Sequence, residues 1–169
     1  MELELRDGIV RPWALSDAKA LARHANARSI WLNLRDAFPH PYTLDDAHAF
    51  LDRAVSTFWC IEVDGEAAGG IGIMPLQDVE RFSAELGYWL GEAYWGRGIV
   101  TDAVRAVTAH AFSTMDVHRI FALPYAHNVA SARVLDKSGF TLEGRLRQSA
   151  FKDGRFVDQL LYARLKTDS

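Results

Sequence analysis

A change of hydrophobic period across a pair of glycines limits what this chain can fold into more than any other feature. Phe82, Ala84, Leu86, Tyr88 and Leu90 alternate with Ser83, Glu85, Gly87 and Trp89. That period of two predicts a strand, and bulk on both faces predicts a central one. The segment Tyr94-Trp95-Gly96-Arg97-Gly98-Ile99-Val100-Thr101 follows. Beyond it Val100, Val104, Val107 and Ala111, flanked by Ala103 and Phe112, recur at helical spacing. His118 to Leu123 is then a short strand. Strand, helix, strand in that order requires a crossover around residues 98–114.

The flanking segments complete a mixed α/β or α+β fold. Leu3 to Trp13 reads as a first strand, and Ser16 as the cap of a helix over about 17–26. Thr43 caps a second helix that carries Ala47, Phe50, Leu51 and Ala54 on one face. Residues 57–63 and 66–74 are two strands about Asp64-Gly65, a two-residue turn suited to positive φ. Asn128 caps a further helix and Gly139 closes it. Residues 140–149 and 155–165 are strands about Asp153-Gly154. No repeat or linker interrupts the 169 residues, so a single domain over 1–169 is expected.

Several chemistries are disfavoured. The lone cysteine, Cys60, sits in the apolar run Phe58-Trp59-Cys60-Ile61 and reads as a small buried hydrophobe. His24, His48, His110, His118 and His127 show no ligand spacing with carboxylates, so no metal is expected. A net charge of −3 gives no footprint for nucleic acid. No run of about 18 apolar residues spans a membrane, and the N-terminal residues do not resemble a secretory signal. The expected compartment is the cytoplasm.

The glycine loop is suited to phosphate. Glycines let a ligand approach the backbone, and the first amides of a helix lack internal partners and sit at its positive end. Arg97 adds a cation nearby. Gly91 to Gly96 has the gap of a P-loop, but Arg97-Gly98 stands where Lys and Ser/Thr are needed. Gly96-Arg97-Gly98 begins a dinucleotide fingerprint, but Thr101 stands where its third glycine belongs. A plain strand-to-helix turn is the remaining reading of the loop alone.

With its neighbours, this loop resembles the GNAT superfamily, in particular the branch that includes ribosomal-protein alanine N-acetyltransferases. The family's Q/R-x-x-G-x-G/A pattern falls on Trp95, Gly98 and Val100, of which Gly98 matches and the other two depart. Glu85-Leu86-Gly87-Tyr88-Trp89-Leu90 is similar to the family's fourth strand. Asn128 and Ser131 match its N-x-x-S helix start, and Gly139-Phe140 with Glu143-Gly144-Arg145 its next strand. The likeness runs over roughly residues 8–166.

The resemblance implies the GNAT fold: a central, mixed, mostly antiparallel, twisted sheet of about seven strands flanked by about four helices. It implies acetyl-CoA as cosubstrate, with the amides of Gly96, Arg97, Gly98, Ile99, Val100 and Thr101 on its pyrophosphate, beside Trp95. Tyr88, Trp89 and Leu90 would pair with the pantetheine arm as a strand would, and Asn128 would hydrogen-bond it or simply cap its helix. Acetyl transfer by direct attack needs a base for the amine and a donor for the leaving sulfur. Glu85, through water, and Ser131 are the candidates, with Tyr125 and Tyr162 also available as donors. Asn33, Asp36 and His40 are candidates for the acceptor side. The acceptor is a protein N-terminus or a small amine, a non-catalytic CoA-binding sensor is the third reading, and the family leaves a homodimer open.

Overall fold

The computed structural model describes residues 1–54 and 56–168. The chain forms two compact units, Met1–Gly72 with Tyr88–Ala103, and Ile73–Gly87 with Val104–Ser169. Eight strands and five α-helices occur among the described residues, against about seven and about four expected. The extra strand comes from the N-terminus. What reads as one strand from Leu3 to Trp13 is two, β1 (Leu3–Leu5) and β2 (Gly8–Pro12), paired antiparallel with Leu5 opposite Gly8. Gly8 takes φ +137° at the bend, and a Cβ there would stand 2.2 Å from the Glu62 carbonyl oxygen.

In the first unit β2 pairs antiparallel with β3 (Phe58–Val63), and β3 with β4 (Glu66–Pro75), whose first part lies in this unit. The β3–β4 turn is the expected one, with Asp64 at φ 53° and Gly65 at φ 82°. Helices α1 (Ala18–Ala25), α2 (Arg28–Trp31) and α3 (Leu44–Leu51) belong here. Ala18, Leu21 and Ala25 of α1 cluster with Ala47 and Leu51 of α3 and with Tyr42. The Thr43 cap forms as read: its hydroxyl accepts from the Asp46 N–H (3.1 Å), and the Asp46 carboxylate accepts from the Thr43 N–H (2.8 Å). Ser16 does not cap α1. The chain instead enters through a 3₁₀ turn, Leu15–Asp17, where the Asp17 carboxylate accepts from the Ala14 N–H (2.8 Å).

In the second unit the first part of β5 (Ser83–Leu90) pairs in parallel with β6 (Arg119–Ala122), with Glu85 opposite Phe121. A parallel neighbour needs a crossover, and α4 (Ile99–Thr114) supplies it. β6 pairs antiparallel with β8 (Arg155–Leu165), and β8 with β7 (Thr141–Lys152). Helix α5 (Val129–Lys137) is capped by Asn128, whose Oδ1 accepts from the Ser131 N–H (3.2 Å), and Gly139 follows it at φ +80°. Val104, Val107, Ala111, Ile120, Leu135 and Tyr162 are buried in this unit. Among the described residues no helix is long and apolar enough to cross a membrane.

One ion cluster ties three elements of the first unit. Arg11 on β2 donates to Asp17 through both terminal nitrogens (2.8 and 2.9 Å) and to Glu62 on β3 through Nε (2.6 Å). Burial pushes the Asp17 carboxyl up, but Arg11 and the Ala14 amide outweigh it and hold its pKa below the usual range. A carboxylate with a depressed folded-state pKa stabilises the fold above its unfolded pKa and loses that contribution as pH falls through the folded value. Arg11→Met leaves Asp17 under-partnered and is expected to cost about 2–3 kcal/mol at neutral pH, less than for a fully buried pair because water reaches this one. Urea unfolding at pH 7 and at pH 3 checks this, and the penalty should shrink at the lower pH.

Candidate active site

The loop begins where β5 ends. The Gly91 N–H donates to the Ala68 carbonyl of β4 (2.8 Å), and a 3₁₀ turn, Glu92–Tyr94, carries the chain forward. Trp95, half exposed, donates its indole N–H back to the Leu90 carbonyl (2.7 Å) and so closes the turn. Gly96 and Gly98 then take φ +78° and +79°, which side-chain-bearing residues adopt only with strain. A Cβ on Gly96 would meet nothing within 4 Å, so the cradle is open on that side.

Asp102 is the first residue of α4 whose N–H finds an acceptor at the helix start, the Gly98 carbonyl (3.1 Å). The N–H groups of residues 96–101 have no acceptor among the described residues. Consecutive main-chain donors at the positive end of a 16-residue helix suit a diphosphate. This chain's loop therefore fits the coenzyme that the sequence resemblance implies.

The side chains around the loop differ from the simple expectation. Arg97 is held by Asp7 (3.2 Å) and Asp64 (3.1 Å), with its guanidinium 5.8 Å from the Tyr94 ring centre. Arg6, which the sequence reading did not single out, donates to Asp102 from Nε (2.7 Å) and Nη2 (2.9 Å). Behind the loop, Glu66 accepts from Arg23 (2.5 Å) and from the Tyr94 hydroxyl (3.4 Å) and lies 3.1 Å from His24 Nε2. No motif signals the hydrogen-bonded pairs, because each joins residues dozens of positions apart.

Tyr88, Trp89 and Leu90 lie at the end of β5 as expected. The glycines opposite make room for them. A Cβ on Gly69 would stand 2.4 Å from the Trp89 carbonyl oxygen, and one on Gly70 would stand 2.8 Å from the Trp89 indole nitrogen. The proposed acceptor segment meets the same strand end, since Phe38 packs on Trp89 (centroids 5.6 Å) and on Tyr42 (4.9 Å). Within it, Asn33 spends an amide hydrogen on the Ser29 carbonyl (3.0 Å). Asp36 is exposed, and so is His40, whose ring stacks beside Trp31 at 5.8 Å.

The remaining candidates lie in the second unit. Glu85 is half-buried on β5 beside Phe121 of β6. Asn128 and Ser131 are brought together by the cap bond at the start of α5. Tyr125 is buried and pairs with Gln159 through an isolated bridge. Burial and then Asp136, by charge and hydrogen bond, push the Tyr162 hydroxyl above its ordinary pKa. Burial pushes the Cys60 thiol up to about 12, so it stays neutral, as its apolar setting predicts. Among the described residues no cluster of His, Cys, Asp or Glu is grouped to hold a metal.

Gly98→Val tests the loop. Its positive φ should cost about 1–2 kcal/mol of stability. Distorting the donors should weaken CoA binding by roughly tenfold or more, as read by calorimetry beside thermal unfolding.

Comparison with known proteins bears on the whole chain. A family model described as an acetyltransferase (GNAT) domain matches residues 9–141. The ribosomal-protein-serine acetyltransferase of Escherichia coli (strain K12) is 34% identical over 97 residues, which is 56% of this chain and 54% of that protein. The spermidine N(1)-acetyltransferase of the same organism is 26% identical over 96 residues, 57% of this chain and 51% of that protein. The chain thus spans about half the length of the curated relatives it matches. A GNAT-family acetyltransferase from Bacillus anthracis shares the fold with a TM-score of 0.86 at 20% identity, over 98% of this chain and 99% of that one. A glycine loop with unspent donors, the matching fold and a domain match over most of its length agree: this chain belongs to the GNAT acetyltransferase family.

Proposed function

We propose that this chain is an acetyl-CoA-dependent N-acetyltransferase acting on a primary amine, with a protein N-terminus as the acceptor and residues 1–169 working as one domain. The observation that carries the reading is the row of unspent N–H groups over residues 96–101. The similarity to a ribosomal-protein-serine acetyltransferase supports a protein acceptor. The similarity to a spermidine acetyltransferase supports a small polyamine as the second reading.

The chemistry is direct transfer. The neutral amine nitrogen attacks the thioester carbonyl, the new C–N bond forms, the C–S bond breaks, and one amine proton must leave. By the family resemblance we assign proton removal, through water, to Glu85, and stabilisation of the departing sulfur to Ser131. Tyr88, Trp89, Leu90 and Asn128 are assigned to the pantetheine arm. Asn33, Asp36 and His40 are assigned to the acceptor side, where an anionic Asp36 suits an ammonium group before it loses its proton. Holding the amine against the thioester contributes several kcal/mol by orientation alone.

Thiol release from acetyl-CoA in the presence of peptides with free N-terminal Ser or Ala, and separately of spermidine, distinguishes the readings. Release with the peptides is expected. CoA binding with no release for any acceptor would instead identify a coenzyme sensor. Glu85→Gln should lower kcat about 100-fold or more, as read by the same thiol-release assay. An unchanged kcat would remove Glu85 from the mechanism.

A further inference from the structure

We propose that Arg6, on the turn between β1 and β2, is a phosphate-contacting residue of the coenzyme site and that Asp102 positions it. The inference rests on the coenzyme reading above and adds to it the cation that the loop's own arginine does not supply.

Arg97 has its guanidinium committed on two sides, to Asp7 through Nε and to Asp64 through Nη1. Arg6 is arranged differently. Its Nε and Nη2 edge grips both oxygens of Asp102, while Nη1 has no partner among the described residues. The side chain is 77% exposed, yet its Nη2 lies only 3.6 Å from where a Cβ on Gly98 would stand. The edge fixed by a carboxylate on the first turn of α4 is therefore also the one whose Nη2 stands beside the glycine of the donor row, and Nη1 is left over for a ligand.

A guanidinium is suited to this double role, because its donors form a planar fork that serves two acceptors from two edges. Asp102, 16% exposed, holds the fork at a fixed angle and removes the entropy cost of recruiting a free arginine. Asp7 contributes from the other side of Arg6 by engaging Arg97. Adjacent residues of one turn thus make opposite ion pairs with the loop, Arg6 to Asp102 and Asp7 to Arg97.

The test is calorimetric titration of CoA and of dephospho-CoA, at low salt, into the unaltered protein, Arg6→Ala, Arg6→Lys, Asp102→Asn and the Arg6→Ala/Asp102→Asn double variant. Thermal unfolding of each accompanies it. Arg6→Ala should weaken CoA binding about tenfold with little change in Tm, and Arg6→Lys should recover only part of the loss. Asp102→Asn should lose affinity by a smaller factor, and the double variant should bind no better than Arg6→Ala. Equal losses for CoA and dephospho-CoA place Arg6 on the diphosphate, whereas a loss confined to CoA places it on the 3′-phosphate. Unchanged CoA binding by Arg6→Ala overturns the inference and leaves the coenzyme reading intact. So does full recovery in the double variant, since Arg6 would then only cancel the charge of Asp102. Failure of the unaltered protein to bind CoA would overturn the coenzyme reading itself and this inference with it.

Discussion

Main-chain donors are obligatory hydrogen-bonding groups, and a folded chain rarely leaves several in a row without acceptors. At residues 96–101 this one does among the described residues, at the start of α4. The arrangement follows from local geometry. Two glycines at positive φ turn the backbone so that α4 begins only at Ile99, and the helix cannot supply acceptors for its own first amides. Water satisfies such donors at modest cost, and an anion satisfies them better. The fold around the loop can be read as what keeps those donors available.

The sequence patterns legible in advance were the local ones. The Asp64-Gly65 turn, the Thr43 and Asn128 caps and the change of period after Gly98 each depend on a few neighbouring residues. The loop and the end of β5 were legible for the same reason, as short motifs in order. The split of the first strand was also written locally, in Asp7-Gly8 ahead of the apolar run Ile9-Val10. The short turn of α2 was not legible, because four residues carry no period.

Long-range pairing was out of reach for a different reason. Arg97 stands within the loop and invites a role toward phosphate, whereas Arg6 lies 96 positions from the carboxylate that holds it. Nearness in sequence is a poor guide to which cation faces a ligand. What decides is which edge of each guanidinium the tertiary fold has already spent, and here Asp7 and Asp64 spend those of Arg97. The acceptor-side segment makes a similar point. Its polar residues Asn33, Asp36 and His40 are the acceptor candidates, but it is Phe38 that joins it to Trp89 at the strand end.

The frame behind the loop explains how donors can be unspent without being loose. His24 on α1 packs against the Tyr94 ring, and its Nδ1 lies 2.9 Å from where a Cβ on Gly91 would be, so only glycine fits at the start of the turn. Glu66 on β4 receives His24, Arg23 and Tyr94 together, and the His24 bond followed by the Arg23 bond holds its pKa below the ordinary value. Trp95 is pinned to Leu90 on the other side. The residues that enter the loop are thus anchored to a helix and a strand, while the amides that follow them are left unspent. Donors fixed in direction before a ligand arrives need little reorganisation to bind it, which is the condition under which electrostatic recognition is strongest.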